Sequence, residues 1–185
     1  LVFVFFVANN ASNDLMYVAS FDAVTWQGPF LVGHKSPFAP AATVLGSHLH
    51  LVYVANNATR DLLHVSTIDG VNWGADAPIG HQSKAAPAMV RSQGLLNLVY
   101  VANNSTNQLL QLASSDGVTW GVETQVPGQS SKAGPALSVF AGALHLAFVA
   151  NNTTNTLLHM SRNSAGTWSA VTQVAGHASP ASPAA

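Results

Sequence analysis

Most of the side chains that could do chemistry in this chain are neutral. Asparagine pairs stand at Asn9-Asn10, Asn56-Asn57, Asn103-Asn104 and Asn151-Asn152, followed by Ser12, Thr59, Thr106 and Thr154. A second set sits in four short stretches: GHKSPFAP from Gly33, GHQSKAAP from Gly80, GQSSKAGP from Gly128 and GHASPASP from Gly176. Amides, hydroxyls and imidazoles both donate and accept hydrogen bonds without net charge, which suits sugar hydroxyls. The plainer role of the same residues is to shape hairpin loops and cap strand ends. For the Asn pairs the plainer role is favoured; for the GHxS stretches the two readings balance. The candidate ligand-binding set is His34, Ser36, Asn56, Asn57, His81, Ser83, Lys84, Asn103, Asn104, Gln129, Ser131, Lys132, Asn151, Asn152, His177 and Ser179. Within it, His81, Ser83 and Lys84, with Asn103 or Asn104 from a neighbouring loop, form the best-supplied site.

Charged chemistry is sparse. Lys and Arg number 6 and Asp and Glu number 7, for a formal net charge of −1. No basic run could neutralise a phosphate backbone, so nucleic acid is not an expected partner. There is no cysteine, which excludes disulfides and thiolate metal sites. His34, His81 and His177 fall in different copies of a repeat, and no carboxylate is seen to recur beside them, so neither a metal nor another cofactor is expected. Of the acids, only Asp14 and Asp61 fall near the polar loops, while Asp76 and Glu123 are placed on outer strands. A glycosidase needs a convergent pair of carboxylates, and none is expected. No catalytic residue is assigned.

The elements that position these groups come from a repeat. VANN begins at Val7, Val54, Val101 and Val149, at steps of 47, 47 and 48 residues. The four tryptophans, Trp26, Trp73, Trp120 and Trp168, keep the same step, as do the GHxS stretches. A period in the forties indicates a solenoid or a propeller. The opening LVFVFFVANN aligns with HLHLVYVANN (48–57), LLNLVYVANN (95–104) and ALHLAFVANN (143–152), so it reads as one strand of the repeat rather than a signal peptide or membrane anchor. No apolar run approaches the roughly 20 residues of a helical membrane span.

Each repeat predicts four strands. In the second copy they cover 40–45, 48–54, 61–67 and 72–79, separated by Gly, Asn and Asp turns. The fold class expected is an all-β propeller of four blades, one domain over 1–185, with blades near 36–79, 83–127 and 131–175. The first blade would take its inner strand from 178–185 and the rest from 1–32. Two chains sharing one ring, and a longer array, stay open as alternatives.

The turn before each tryptophan carries a resemblance. SFDAVTW (20–26), TIDGVNW (67–73), SSDGVTW (114–120) and SRNSAGTW (161–168) resemble the Asp-box, or BNR, repeat of sialidase-like propellers and several propeller lectins. The first three are one residue shorter than that pattern, and the fourth has Asn163 in place of Asp. Repeats of this length and near-identity are similar to bacterial and fungal multivalent lectin propellers. The resemblance implies a propeller, and the likeness to such lectins a multivalent one binding glycans; the sparse, non-convergent charges and near-equivalent blades add the expectation that it is non-catalytic, with its sites on one face. A structural or protein-interaction propeller is the second reading and a degenerate glycosidase the third. Ser114 and Asp116 are expected to bind the turn's own N–H groups, and Trp120 to pack against the next blade.

Overall fold

A computed structural model describes residues 1–184 and shows four antiparallel sheets and no helix. The first sheet joins β1 (Val2–Val7), β2 (Asp14–Ser20) and β3 (Gln27–Lys35). The second joins β4 (Ala41–Leu45), β5 (His48–Val54), β6 (Asp61–Thr67) and β7 (Ala77–Gln82). The third joins β8 (Ala88–Ser92), β9 (Leu95–Val101), β10 (Gln108–Ser114) and β11 (Thr124–Ser130). The fourth joins β12 (Ala136–Phe140), β13 (Ala143–Val149), β14 (Thr156–Arg162) and β15 (Thr172–Ala178). Strands within each sheet follow chain order, the up-and-down arrangement of propeller blades.

The inner strands are short and rich in alanine. Ala41, Ala88 and Ala136 line one axial cavity together with Ser182, Pro183 and Ala184. The C-terminal segment thus reaches the axis, as the repeat requires. It does so without a ladder: residues 179–184 form no strand, and β1 pairs with β2 alone. The expected pairing of 178–185 with 1–9 is therefore not made by the described residues; Ala185 lies outside them. Pro180 and Pro183 each remove a backbone donor from a stretch of only a few residues, which weakens any ladder there.

The fourth strands begin later than the sequence predicts. β7 runs 77–82 instead of 72–79. The Asp69 carboxylate accepts hydrogen bonds from the Val71 and Asn72 amides, at 2.9 and 2.8 Å, and the Gly74 amide donates to Ser66 O at 3.2 Å. These contacts absorb the residues after Asp69 into the turn. β7 is then bulged between its Leu63 and Asp61 partners and carries His81 on the strand itself. β3, β11 and β15 likewise carry His34, Gln129 and His177.

The turns themselves fold as expected. Asp116 accepts from the Val118 and Thr119 amides, both at 2.8 Å, and the Gly117 amide donates to Ser114 Oγ at 2.8 Å. Asp22 does the same for Val24 and Thr25. These bonds hold all three turn carboxylates, Asp22, Asp69 and Asp116, well below the usual carboxylate range. In the fourth turn Asn163 Oδ1 accepts from Thr167 N at 3.0 Å.

Tryptophan packs on the preceding blade rather than the next. Trp73 lies 5.7 Å from Phe5 and 6.1 Å from Tyr17, and Trp120 lies 6.4 Å from His64. The turn ahead of each indole leans over the previous sheet, where it covers a pair of side chains. The second blade's turn covers Phe3 and Tyr17, against which Gly70 packs. The third blade's turn brings Gly117 onto His50 and His64. From the fourth blade Arg162 reaches back to Asn97 Oδ1 at 2.7 Å and Gln111 Oε1 at 2.9 Å. Three apolar clusters join blades one to two, two to three, and three to four.

Candidate functional site

The Asn pairs divide into two structural jobs. The second Asn of each pair closes its own loop. Asn104 Oδ1 accepts from the Thr106 and Asn107 amides, at 3.0 and 3.1 Å, and Asn57 Oδ1 accepts from the Arg60 amide at 2.7 Å. Asn152 Oδ1 accepts from the Thr154 amide at 3.1 Å. In the last three pairs the first Asn faces the preceding blade. Asn103 donates to Thr59 O at 3.1 Å, Asn107 donates to Asn151 Oδ1 at 3.1 Å, and Asn13 reaches Asn56 Oδ1 at 3.5 Å. These side chains are exposed, yet their hydrogen bonds are spent on loop shape and blade spacing.

Three of the four serines cannot meet a ligand. Ser36, Ser83 and Ser131 are fully buried. Ser83 Oγ lies 2.8 Å from Ala85 O and 3.0 Å from Val101 O, and Ser131 repeats this with Ala133 and Val149, both at 2.8 Å. Ser36 Oγ bonds Phe38 O at 2.7 Å. They are strand-end caps and leave the candidate set. Ser179, partly exposed, bonds Ala181 O at 2.9 Å. The lysines brace loops: Lys84 bonds Asn104 O at 2.8 Å as well as Asn107, and Lys132 bonds Asn155 at 3.0 Å.

The histidines lead to something the sequence reading missed. His81 Nδ1 lies 2.8 Å from Glu123 Oε2, and the Tyr100 hydroxyl donates to that same oxygen. One blade earlier, His34 Nδ1 lies 3.5 Å from Asp76 Oδ2, which accepts from Tyr53 at 2.9 Å. Each cluster spans a junction: the histidine ends one blade's outer strand, while the tyrosine and the acid belong to the next blade. The tyrosines are buried, but the polar ends stay in reach of solvent; the His81 and Glu123 side chains are 31% and 32% exposed. Burial, reinforced by the adjoining carboxylate, pushes both phenols far above their usual range, so each remains a donor at any physiological pH.

A carboxylate therefore does recur beside the histidines, contrary to the sequence reading. The signal was present, since Asp76 and Glu123 are one repeat apart (123 − 76 = 47) and each lies 23 residues after its tyrosine. What the two clusters offer at their blade junctions is an acceptor-rich surface. With Nδ1 turned to the acid, imidazole Nε2 and the second carboxylate oxygen take no hydrogen bond among the described residues, on side chains that are partly exposed. Hydroxyl donors fit such a surface. The other junctions carry different residues. Gln129 pairs by the repeat with Phe148, and its amide bonds Pro127 O at 3.0 Å; exposed His177 pairs by the repeat with Phe6. Neither has a phenol.

Four further charges are engaged elsewhere. Asp14 and Asp61 accept from Ser12 and Thr59 and from Asn10 and Asn57, which holds both well below the usual carboxylate range. Arg60 lies over the Phe38 ring at 5.7 Å, and Arg162 over Trp168 at 5.8 Å. No group of three or more His, Asp or Glu among the described residues could hold a metal ion.

No family model matches the chain, and no curated protein matches it. Among solved structures it is similar to the BP39L lectin of Burkholderia pseudomallei, with a TM-score of 0.72 and 20% identity over 94% of this chain and 51% of that one. An Aleuria aurantia lectin mutant in complex with Fucα1-6GlcNAc gives 0.63 and 17% over 95% and 59%. An α-L-arabinofuranosidase from Clostridium thermocellum gives 0.65 and 13% over 93% and 68%. The chain thus spans about half the length of the lectin it matches first. At these identities what is shared is the architecture: the chain has a β-propeller fold built from four blades.

Proposed function

We propose that this protein binds carbohydrate as a non-catalytic, multivalent propeller lectin, and that its principal sites are the two inter-blade clefts. The observation that carries the reading is the repeated His–Tyr–carboxylate cluster, His34/Tyr53/Asp76 and His81/Tyr100/Glu123. Each presents a partly exposed imidazole and carboxylate at a blade junction, acceptors that suit a vicinal diol of a neutral sugar. No arginine or lysine bonds the cluster among the described residues, which favours neutral sugars over acidic ones. The likeness to two propeller lectins agrees with this reading. The likeness to an arabinofuranosidase keeps a glycosidase as the competing one. Each of the seven acids is engaged with its own turn, loop or tyrosine, and Asp76 and Glu123 sit in separate junctions, which supports binding over hydrolysis.

Each hydrogen bond to a sugar exchanges with water for a net gain of about 1 kcal/mol, so single sites are weak and a glycan-dense surface gains by avidity. The test combines a glycan array with calorimetry on the best neutral hit. Two sites per chain are expected. Glu123→Gln should leave one, and Asp76→Asn together with Glu123→Gln should leave none. Unchanged stoichiometry in the double variant rules out these clefts as the sites. Turnover of an aryl arabinofuranoside by the unaltered chain decides for the glycosidase.

A further inference from the structure

The packing of one blade on the next occurs three times, and its two unmatched halves are left at the ends of the arc. In the first junction Leu15, Tyr17 and Val32 of blade one pack on Leu51, Tyr53 and Val65 of blade two. The repeat places Val4, Phe6 and Val18 of blade one where blade two has Leu51, Tyr53 and Val65. Val4 is 46% exposed, whereas its counterparts Leu51, Leu98 and Leu146 are each 0% exposed. Phe6 and Val18 are partly exposed, whereas Tyr53, Tyr100 and Phe148, and Val65, Leu112 and Met160, are all buried. Trp26, which should pack on a preceding blade as Trp73 and Trp120 do, is 42% exposed.

The opposite face shows the complement. Leu157 and Val174 of blade four are partly exposed, at positions where Leu15, Leu62 and Leu109, and Val32, Ile79 and Val126, are buried. No apolar cluster joins blade four to blade one among the described residues.

We propose that the open face of blade one is covered by the open face of blade four from a second copy of this chain, head to tail. Such a contact would continue an interface the molecule already makes three times. Both faces carry the side-chain types that pack in the three filled junctions, in the same repeat positions. Neither face carries a carboxylate, lysine or arginine at these positions. A head-to-tail contact must either close a ring or propagate. In a dimer the two free pairs of faces cover each other, and both exposed apolar patches vanish.

Analytical ultracentrifugation of the purified 185-residue chain at micromolar concentration tests this. A single species of twice the chain mass is expected. Val4→Arg should halve that mass while keeping the unaltered chain's β-sheet circular dichroism, because Val4 is already half in solvent. Val44→Arg, on an exposed site of β4, should stay dimeric. A monomeric unaltered chain overturns the proposal, whether its faces stay open or close on each other. So does a Val4→Arg variant that remains dimeric, or a Val44→Arg variant that dissociates.

Discussion

Two histidine pairs hold one geometry in two settings. His50 Nδ1 lies 2.9 Å from His64 Nε2 in blade two, and His145 Nδ1 lies 2.9 Å from His159 Nε2 in blade four. The first pair is buried and the second only partly so. The blades differ little in sequence. What differs is the neighbour: the turn around Gly117 rests on the first pair, while the second pair lies at the open end of the arc. In this molecule a blade does not bury its own outer face; the following turn does.

The sharpest way to break that comparison is to spoil the cover. A Cβ at Gly117 would lie 2.5 Å from His50 Nδ1, at a φ of +79°. Gly117→Ala should therefore cost about 2–4 kcal/mol, from overpacking and left-handed strain together. Gly166, at φ +84°, has open space where a Cβ would stand, with nothing within 4 Å. Gly166→Ala should cost only about 1 kcal/mol, the strain alone. Urea melts of the two variants measure the difference, and equal losses would remove the packing argument.

Acid gives the next largest effect. Burial, then the charge of His50, pushes His64 down from 6.5 to about 4. The fold favours the neutral ring, so between these values the unfolded chain binds a proton that the folded chain refuses. The contribution is fully present above about pH 6.5 and is lost as pH falls towards 4, by an amount on the order of 3 kcal/mol. His64→Gln, which installs the residue that blade three carries at Gln111, should flatten the stability profile across that window. His159 is also pushed down, by burial and then by His145, but it is more exposed. His159→Gln should change the profile less. Melts at several pH values read both slopes, and a steeper change from His159→Gln would reverse the comparison.

The smallest contrast lies in the strand-end serines. Ser83→Ala removes a buried hydroxyl from two carbonyls and should cost about 1–2 kcal/mol. Ser179→Ala, at a partly exposed copy with one such carbonyl, should cost about 0.5 kcal/mol. Thermal melts of the pair are sufficient to rank them.

Much of this architecture was legible because three markers kept one step through the chain. The step fixed the blade count, the strand order and the side on which each loop lies. The plain role of the Asn pairs was also legible, since a residue followed two places later by Ser or Thr is well placed to close its own turn. The clefts were not. Asp76 and Glu123 follow turns that consume more residues than their polar tips reveal, and the bulge in β7 then swings His81 from an expected loop onto a strand. A carboxylate that looked peripheral came to face the preceding blade. Burial of Ser83 was equally hidden, because a loop that tucks under its neighbour and one that does not share the letters GHxS. The joint at the axis depended on whether 179–184 would pair, and a length count alone could not supply the missing turn.

The paired side chains beneath the turns also bear on how the chain avoids folding wrongly. Near-identical repeats invite one blade to dock in another's place, a common failure of repeated architectures. Here each seat is different: Phe3 and Tyr17 under Gly70, His50 and His64 under Gly117, Asn97 and Gln111 under Arg162. If the fourth blade settled on the first, the Arg162 guanidinium would face two aromatic rings and lose both amide acceptors, a costly exchange for a half-buried cation. If the third blade settled there, Gly117 would have no imidazoles to cover. The junctions thus differ from one another as address labels do, and a blade docked in the wrong seat would fit it less well than the blade that belongs there.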